Sequence, residues 1–389
     1  MNTILKTLNN RKFILVIWLL LAIFLGFKQY HKGSYNNYLI FKHVYHHAVE
    51  RLNLYAEYPQ QYGDTNHYGP FFSLLIAPFA LLPDYIGTIL WQIANTLFLF
   101  FAIQQLPLAF KKINAVYWIV AHELMTALFS FQFNISIAAI IILTFAFIQR
   151  GKNFWAAMLI MLGTFVKLYG IVGLAFFFFV KKKWNFVLSC FCWALIFFVL
   201  PMVFFSPTYI LQCYQDWYQS LAQKQQLNAS LTSMQDISVM GMARRISGNV
   251  NLPNLPFLAG GLLLFALPYL RIKAYADLNF RLLLLASTLI FTVIFSNSSE
   301  SPTYIIAFLG VAIWFLIQQR PFKIWQIALF VFALLLTSFS PSDLFPKFVR
   351  ENYIKPYSLK ALPCLIVWLV IIYQMMCSKF NQTEQLHAE

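Results

Sequence analysis

The sequence predicts an all-α polytopic membrane protein with about 12 transmembrane helices. Hydrophobic residues make up 60% of the 389 residues and charged residues only 11%, whereas soluble domains carry about a quarter charged residues. Apolar runs of about 20 residues recur, and each is long enough to cross roughly 30 Å of hydrocarbon as a helix. The net charge of +15 lies in short basic clusters between these runs, which indicates membrane topology rather than nucleic-acid binding.

The apolar runs between polar stretches are the predicted spans. They cover residues 13–29, 85–106, 114–130, 135–149, 153–166, 168–180, 184–205, 255–270, 280–296, 303–318, 324–340 and 360–377. The apolar segment 71–82 is too short to span, and Pro78 and Pro83 limit it as a continuous helix. We therefore expect an interfacial or re-entrant segment there, within a single membrane domain that covers residues 1–389.

The distribution of charge predicts the side on which each connection lies. With the N-terminus inside, the inner connections contain the basic residues Lys6, Arg11, Lys12, Lys111, Lys112, Arg150, Lys152, Lys181, Lys182, Lys183, Arg271, Lys273, Arg281, Arg320, Lys323 and Lys379. Their acidic residues are Asp277, Glu384 and Glu389. If segment 71–82 crossed the membrane, the later basic clusters would fall outside. Charge therefore favours re-entrance and predicts that both termini are cytoplasmic.

The long connections are predicted on the outer side, which indicates that the protein acts there. They cover residues 30–84, 206–254 and 341–359. In the first outer loop, Asn37–Leu54 has apolar residues at i, i+3 and i+4 spacing and basic residues on its other face. This pattern is typical of a helix that lies flat on the bilayer surface. Tyr55–Tyr68 is predicted to be irregular because proline and glycine interrupt it.

Three carboxylates of the first outer loop are candidates for a general base: Asp64, then Glu57, then Glu50. A positioned carboxylate can take the proton of a hydroxyl as that hydroxyl attacks. Asp64 ranks first because aromatic residues and His67 flank it just before the short apolar segment. The alternative for each acid is a solvated or structural role, and Glu50 can pair with a basic neighbour on its own helix.

Cations on the predicted outer side suit a phosphate ligand. Arg244 and Arg245 can bind phosphate through paired hydrogen bonds, and Lys167 as a point charge. The alternatives are snorkelling for Lys167 and, for the two arginines, attraction to anionic lipids or a solvated position in the loop. Other candidates for substrate binding on this side are Asn36, Asn37, His67, Tyr68, Gln132, Asn134 and Glu300.

The sequence predicts no metal site and no cofactor. The five cysteines show neither a pairing framework nor metal-ligand spacing, which favours a packing role. His43, His46 and His47 lack an accompanying ligand set. Glu123 is the one carboxylate near the middle of a predicted span, and a structural role is favoured because a polar partner on a helix can satisfy it.

Several short motifs follow one another in an order that resembles a known family. They are Leu54-Tyr55, Tyr68-Gly69-Pro70 and Leu82-Pro83 in the first loop, FQFN at 131–134 and VKLYG at 166–170. This order is similar to that of glycosyltransferase family 87, the polyprenol-phosphate-mannose-dependent mannosyltransferase-like proteins with the GT-C fold. The resemblance extends over roughly residues 30–300, and the remainder matches only in hydropathy.

The resemblance implies a GT-C-like bundle and a membrane glycosyltransferase. Such an enzyme would move a mannose-like hexose or a pentose from a polyprenyl-phosphate donor to a hydroxyl acceptor, a lipid or a cell-envelope glycan, with inversion. Characterised GT-C enzymes usually place an acid soon after the first span, where this sequence has Tyr35-Asn36-Asn37. An amide cannot act as a general base. Either Asp64 or another loop acid replaces it, or the protein is not a working transferase.

Two alternative functions stay open at this point. A transporter or flippase for lipid-linked or polar substrates usually has ionisable residues at the membrane midplane; here Glu123 is the one such residue, and the other polar residues concentrate on one face. A non-catalytic membrane assembly factor is compatible with Asn36 and Asn37. The expected location is the bacterial inner membrane, with the site facing outward, in contact with the lipid bilayer and with no nucleic acid partner.

Overall fold

The computed structural model describes residues 6–228, 230–233 and 235–380, so Glu384 and Glu389 lie outside the described residues. Within these ranges the chain is helical and contains no β-strand. It divides into two compact units, Met1–Lys224 and Gln225–Glu389, which are called the first unit and the second unit below.

The first unit is built from α-helices joined by short turns and by one long irregular loop. The helices are α1 (Arg11–His31), α2 (Asn36–Glu50), α3 (Phe72–Ala80), α4 (Asp84–Gln104), α5 (Phe110–Phe129), α6 (Asn134–Gln149), α7 (Asn153–Lys167), α8 (Lys183–Phe205) and α9 (Pro207–Asn228), whose residues up to Lys224 belong to this unit. A 3₁₀ segment, Tyr169–Phe179, connects α7 to α8. The irregular loop lies between α2 and α3.

Local residue chemistry sets the ends of three of these helices. The side chain of Asn10 accepts the backbone N–H of Lys12 at 2.9 Å, which satisfies a donor left unpaired at the start of α1. Arg51 and Leu168 have positive φ values of 57° and 46°, and this left-handed conformation stops α2 and α7. Lys167 therefore lies at the C-terminal end of α7, where a positive charge is favoured by the helix dipole.

Aromatic side chains fill the core of the first unit. The fully buried Trp18 contacts Phe100 and Tyr117 edge-on, with ring centroids 5.6 Å and 5.2 Å away. Trp91 donates its indole N–H to the carbonyl of Phe131 at 2.9 Å. Close packing and such hydrogen bonds hold helices together in lipid, where the surroundings are as apolar as the side chains.

The second unit has its own core. Its helices are α10 (Val239–Ser247), α11 (Leu255–Ala266), α12 (Leu278–Ile294), α13 (Tyr304–Leu316), α14 (Ile324–Ala333) and α15 (Ala361–Cys377). Nearly every residue of α13 is buried, so this helix is central. Trp368 on α15 donates to the hydroxyl of Ser287 on α12 at 2.9 Å. Trp314 on α13 likewise donates to the Gln374 side chain on α15 at 3.1 Å.

Helices occupy all of the apolar runs that the sequence predicts as spans. By length and composition, α1, α4 and α8 can each cross a membrane, and further apolar helices of 10–17 residues accompany them. The prediction of about 12 crossings stays a prediction. The predicted re-entrant segment contains α3, a helix of 9 residues.

The helix α8 exposes much of its apolar surface. Its exposed side chains include Leu188, Phe191, Leu195, Val203 and Phe204. A soluble protein rarely leaves so large an apolar face in water. The helical architecture and this exposed apolar face are compatible with a membrane protein.

Candidate active site

The backbone around Gly69 packs against the C-terminal end of α7. The Gly69 N–H donates to the carbonyl of Val166 at 3.0 Å. A Cβ atom at position 69 would collide with the carbonyl oxygen of Phe165, so glycine is required for this close approach. The contact brings Tyr68 next to Lys167.

Three sequence-predicted residues form a chain of hydrogen bonds at this place. Lys167 Nζ donates to Asn134 Oδ1 at 2.7 Å, and Asn134 Nδ2 donates to Gln132 Oε1 at 2.5 Å. Lys167 Nζ also lies 5.3 Å from the centre of the Tyr68 ring and 5.4 Å from that of Tyr169. An amide oxygen and two aromatic faces thus contact the ammonium group and help to hold it in place.

The turn before Tyr68 presents a carboxylate next to His67. Asp64 has a φ of 79°, a left-handed conformation that aspartate adopts more readily than most residues. Its Oδ1 accepts the N–H of Thr65 at 2.8 Å and lies 3.9 Å from His67 Nε2. The side chain remains 59% exposed. The carboxylate is therefore held in place and still accessible to a ligand.

His67 joins Asp64 to the Lys167 cluster. Its Nδ1 lies 3.0 Å from the hydroxyl of Ser220. Burial lowers the pKa of His67 to about 3, and the positive charges of Lys224 and Lys167 contribute in the same direction. The imidazole is thus neutral at pH 7 and forms no ion pair with Asp64. A group with so low a pKa is a weak base near neutral pH, which favours a hydrogen-bonding role.

This low pKa predicts a loss of stability in mild acid. The unfolded chain binds a proton on His67 below about pH 6.5, whereas the folded protein does so near 3. The contribution of His67 is therefore fully present above pH 6.5 and is lost as the pH falls towards 3. At pH 5 we expect a loss of about 2 kcal/mol. Thermal unfolding of the detergent-solubilised protein at pH 7.5 and pH 5 measures it.

The matched variant is His67→Asn, whose amide can replace Nδ1 but does not titrate. Burial also lowers the pKa of His43, to about 4, so the parent protein has more than one source of acid sensitivity. The difference between parent and variant isolates His67. Equal pH dependence in the two proteins would contradict the prediction.

Asn36 holds the backbone of the irregular loop next to Asp64. Its Oδ1 accepts the N–H of Gly63 at 2.8 Å, and its Nδ2 donates to the carbonyl of the same residue. A carboxylate could accept the first of these bonds but could not donate the second. Asn37 Nδ2 donates to the carbonyl of Ser130 at 2.7 Å. Both amides therefore hold backbone segments of the first unit in place.

Asn36→Asp is expected to loosen this loop. The variant loses one hydrogen bond and places a carboxylate against the Gly63 carbonyl, which should cost about 1–3 kcal/mol. Thermal unfolding and the rate of proteolytic cleavage between residues 51 and 66 measure the effect. Asn251→Asp is the control, because it adds the same charge at an exposed position. If the Asn36→Asp protein is as stable and as protease-resistant as this control, Asn36 does not hold the loop backbone in place.

The other two candidate bases lie apart from these contacts. Glu50 is the last residue of α2, and Glu57 lies in the irregular loop; both are exposed. Among the described residues, neither carboxylate makes a hydrogen bond or an ion pair. Their roles as general bases stay predictions.

Arg244, Arg245 and Glu300 lie in the second unit and make structural contacts there. Buried Arg244 forms an ion pair with Asp236. Arg245 donates to the carbonyl of Asp236 at 2.9 Å and to other carbonyls of the preceding loop. The Glu300 side chain caps the Ser301–Thr303 turn. Binding of substrate by these three residues stays a prediction.

Sequence reasoning missed three residues of α9 that surround His67. The hydroxyl of Ser220 lies next to its ring, Trp217 donates to its carbonyl at 3.0 Å, and Lys224 lowers its pKa. All three belong to the predicted loop 206–254, which the structure folds into a helix. Nothing in their local sequence pairs them with a residue about 150 positions earlier, so only the helix packing reveals them.

The described residues were compared with the side-chain groups that usually bind a metal ion. Across residues 6–228, 230–233 and 235–380, no group of three His, Cys, Asp or Glu side chains is arranged to hold a metal ion.

Comparison with known proteins identifies the family. The profile of glycosyltransferase family 87 matches residues 66–296, more than half of the chain. Curated proteins give no match. The matched range contains His67, Tyr68, Gln132, Asn134 and Lys167, and it begins two residues after Asp64. The chain therefore belongs to glycosyltransferase family 87, and its activity is that of a glycosyltransferase.

Proposed function

We propose that the protein transfers a mannose-like hexose or a pentose from a polyprenyl-phosphate donor to a hydroxyl acceptor at the outer face of the membrane. The observation that carries this proposal is the Lys167–Asn134–Gln132 chain beside Tyr68, within the segment that matches the family. A partly buried cation that is held by an amide oxygen next to an aromatic face suits a sugar-phosphate linkage. The acceptor would be a lipid or a cell-envelope glycan.

Lys167 would bind the donor phosphate and stabilise the charge that develops on it. When the bond between the anomeric carbon and the phosphate oxygen breaks, the leaving polyprenyl phosphate gains negative charge. A fixed positive group lowers the energy of that transition state because it needs no reorganisation during the reaction. Asn134 and Gln132 act as positioning residues by orienting the lysine.

Asp64 would act as the general base. The acceptor hydroxyl gives its proton to the carboxylate while its oxygen forms a bond to the anomeric carbon. The bond to phosphate breaks on the opposite face, so a single displacement inverts the anomeric centre. The exposure of Asp64 and its distance of 3.9 Å from His67 support this role, since an acceptor can reach it beside the cluster.

An apolar groove in the first unit can accommodate part of the polyprenyl chain. It has a volume of about 260 Å³ and is lined by apolar side chains of α7, the 3₁₀ segment and α8, among them Met161, Phe177 and Phe191. The helix α7 also carries Lys167 at its end. A lipid chain in this groove would lie along the helix that binds the phosphate.

Transfer from radiolabelled polyprenyl-phosphate sugars in membranes that contain the full-length protein tests the proposal. Incorporation of label into a lipid or glycan fraction, dependent on the protein, is the expected result. Mannose, glucose and pentose donors are compared in parallel, and membranes without the protein are the control. If no donor sugar is transferred, a polyprenyl-phosphate donor is excluded under these conditions and the proposal fails.

A further inference from the structure

The second unit contains a cavity that is rich in cations and hydroxyl groups. Its volume is about 250 Å³, smaller than the roughly 300–1,000 Å³ of sites for drug-sized ligands. Its lining includes Arg245, Arg350, Lys355 and Lys360 as well as several serine hydroxyls. Among the described residues that line it, none is a carboxylate. A cavity of this size and charge suits a small anionic group.

Two of these cations are deeply buried. Lys360 is 3% exposed and Arg245 is 8% exposed. Lys360 Nζ donates to the carbonyl and to the hydroxyl of Ser301, both at 3.0 Å. Arg245 donates to Ser358 Oγ and to backbone carbonyls. These hydrogen bonds hold both side chains at the cavity. Buried charge is costly, so an anion that enters the cavity gains strongly from both.

Arg350 provides open donors at the cavity. Its Nε donates to Glu351 at 3.0 Å, and its Nη1 donates to the carbonyl of Ser342 at 2.8 Å and to Asp343 at 3.2 Å. In the described part of the chain, Arg350 Nη2 makes no hydrogen bond. Lys355 contacts Glu351 at 2.9 Å. Two N–H groups of a rigid guanidinium therefore stay available to a ligand.

The cations outnumber the acids around the cavity. Four basic side chains line it, and the acidic ion-pair partners of Arg350 and Lys355 are Asp343 and Glu351. Four minus two leaves a charge of +2, and subtracting Glu300 in the adjoining turn still leaves +1. Asp236 also acts on Arg245, but its ion-pair partner Arg244 balances that charge, so the net charge around the cavity stays positive.

We propose that this cavity binds a phosphate group, as a monoester or a diester. Phosphate offers several acceptor oxygens at once, which matches a guanidinium, ammonium groups and hydroxyls that converge on one small volume. A phospholipid headgroup and a soluble phosphate compound share this chemistry. The site is distinct in its residues from the Lys167 cluster, so it gives the protein a second place for a phosphorylated ligand.

Isothermal titration calorimetry on the purified full-length protein in a neutral detergent tests the proposal. The probes are inorganic phosphate and short-chain dihexanoyl phosphatidylglycerol, each at constant ionic strength. Arg350→Gln and Lys360→Met are each expected to raise the dissociation constant about 10-fold, because each removes a charge-assisted hydrogen bond. Lys347→Gln is the matched control, because it removes one charge from the same segment at an exposed position outside the lining.

The outcomes show whether the site exists and whether its phosphate belongs to a lipid headgroup or to a soluble compound. Binding of both probes, weakened by the two variants and not by the control, supports a site that accepts a lipid headgroup. Binding of inorganic phosphate alone, with the same pattern, supports a site for soluble phosphate compounds. Circular dichroism and thermal unfolding verify that Arg350→Gln, at the accessible edge of the cavity, is folded. If neither probe binds, or if folded Arg350→Gln binds like the parent, the proposal is overturned.

Discussion

Asp64→Asn is expected to lower the rate of sugar transfer by about 10²–10⁴-fold, the usual contribution of a general base. The amide has nearly the same shape and can still accept the N–H of Thr65, but it cannot take the proton of the acceptor hydroxyl. Because donor binding does not need this proton transfer, the effect should fall on kcat rather than on the KM for the donor. Steady-state transfer with a radiolabelled donor measures both parameters.

The same isosteric change at the other two candidate bases completes the experiment. Glu57→Gln and Glu50→Gln each remove one exposed carboxylate of the first outer loop. A large loss in Asp64→Asn alone identifies Asp64 as the base. If Asp64→Asn transfers sugar at the parent rate and one of the glutamate variants does not, the base is that glutamate. Thermal unfolding of each variant shows whether a loss of rate follows from a loss of structure.

Lys167→Met is expected to lower the rate of transfer by about 10²–10³-fold, as removal of a single stabilising group from a transition state does. Methionine keeps the length and the apolar stem of the side chain but removes the charge. The leaving phosphate then develops its negative charge without the cation that Asn134 holds in place at 2.7 Å. Binding of polyprenyl phosphate itself, the product, should also weaken.

Lys181→Met is the matched control, since it removes one exposed lysine from a predicted inner cluster. A second variant, Asn134→Ala, tests whether the orientation of Lys167 matters in addition to its charge. It retains the charge of Lys167 but removes the acceptor that orients it, so we expect an intermediate loss. Unchanged transfer and unchanged product binding in Lys167→Met would show that this lysine only snorkels at the membrane interface.

The departure from the GT-C pattern after the first span has a structural explanation. Asn36 both donates to and accepts from the backbone of Gly63, one residue before Asp64. An acid at this position could not make both bonds. The amide therefore supports the loop that presents a neighbouring carboxylate, which is consistent with a base located further along the chain.

Local patterns in the sequence were sufficient to predict the helical architecture. Apolar runs and the polar stretches between them predicted where helices lie, because burial of apolar side chains and backbone hydrogen bonding act over short stretches of chain. The same reasoning placed the end of one helix at VKLYG, where Leu168 now stops α7. It overestimated α2, which ends at Glu50 rather than Leu54, because a single left-handed residue outweighs the apolar spacing beyond it.

Contacts between distant residues were beyond the reach of such patterns. In the sequence Arg244 and Arg245 are candidates for binding phosphate or anionic lipid, and only the structure shows that their guanidinium groups bind Asp236 and the preceding loop. The cavity around Lys360 and Arg350 carries no sequence motif at all. A hydrogen-bond partner is chosen by position in space, and in these cases the packing of helices sets that position.

The sequence by itself determined an α-helical architecture whose apolar runs are compatible with a membrane protein and whose polar residues concentrate in a few turns and loops. It also determined which residue types were available there: an aspartate, a lysine and amides. Only the tertiary structure decided that Lys167, Asn134 and Gln132 form one chain beside Tyr68 and that Lys224 and Ser220 face His67. The physical reason is that hydrophobic patterning acts along a segment, whereas hydrogen bonds and charge interactions depend on distances of 3–4 Å that arise only when segments pack.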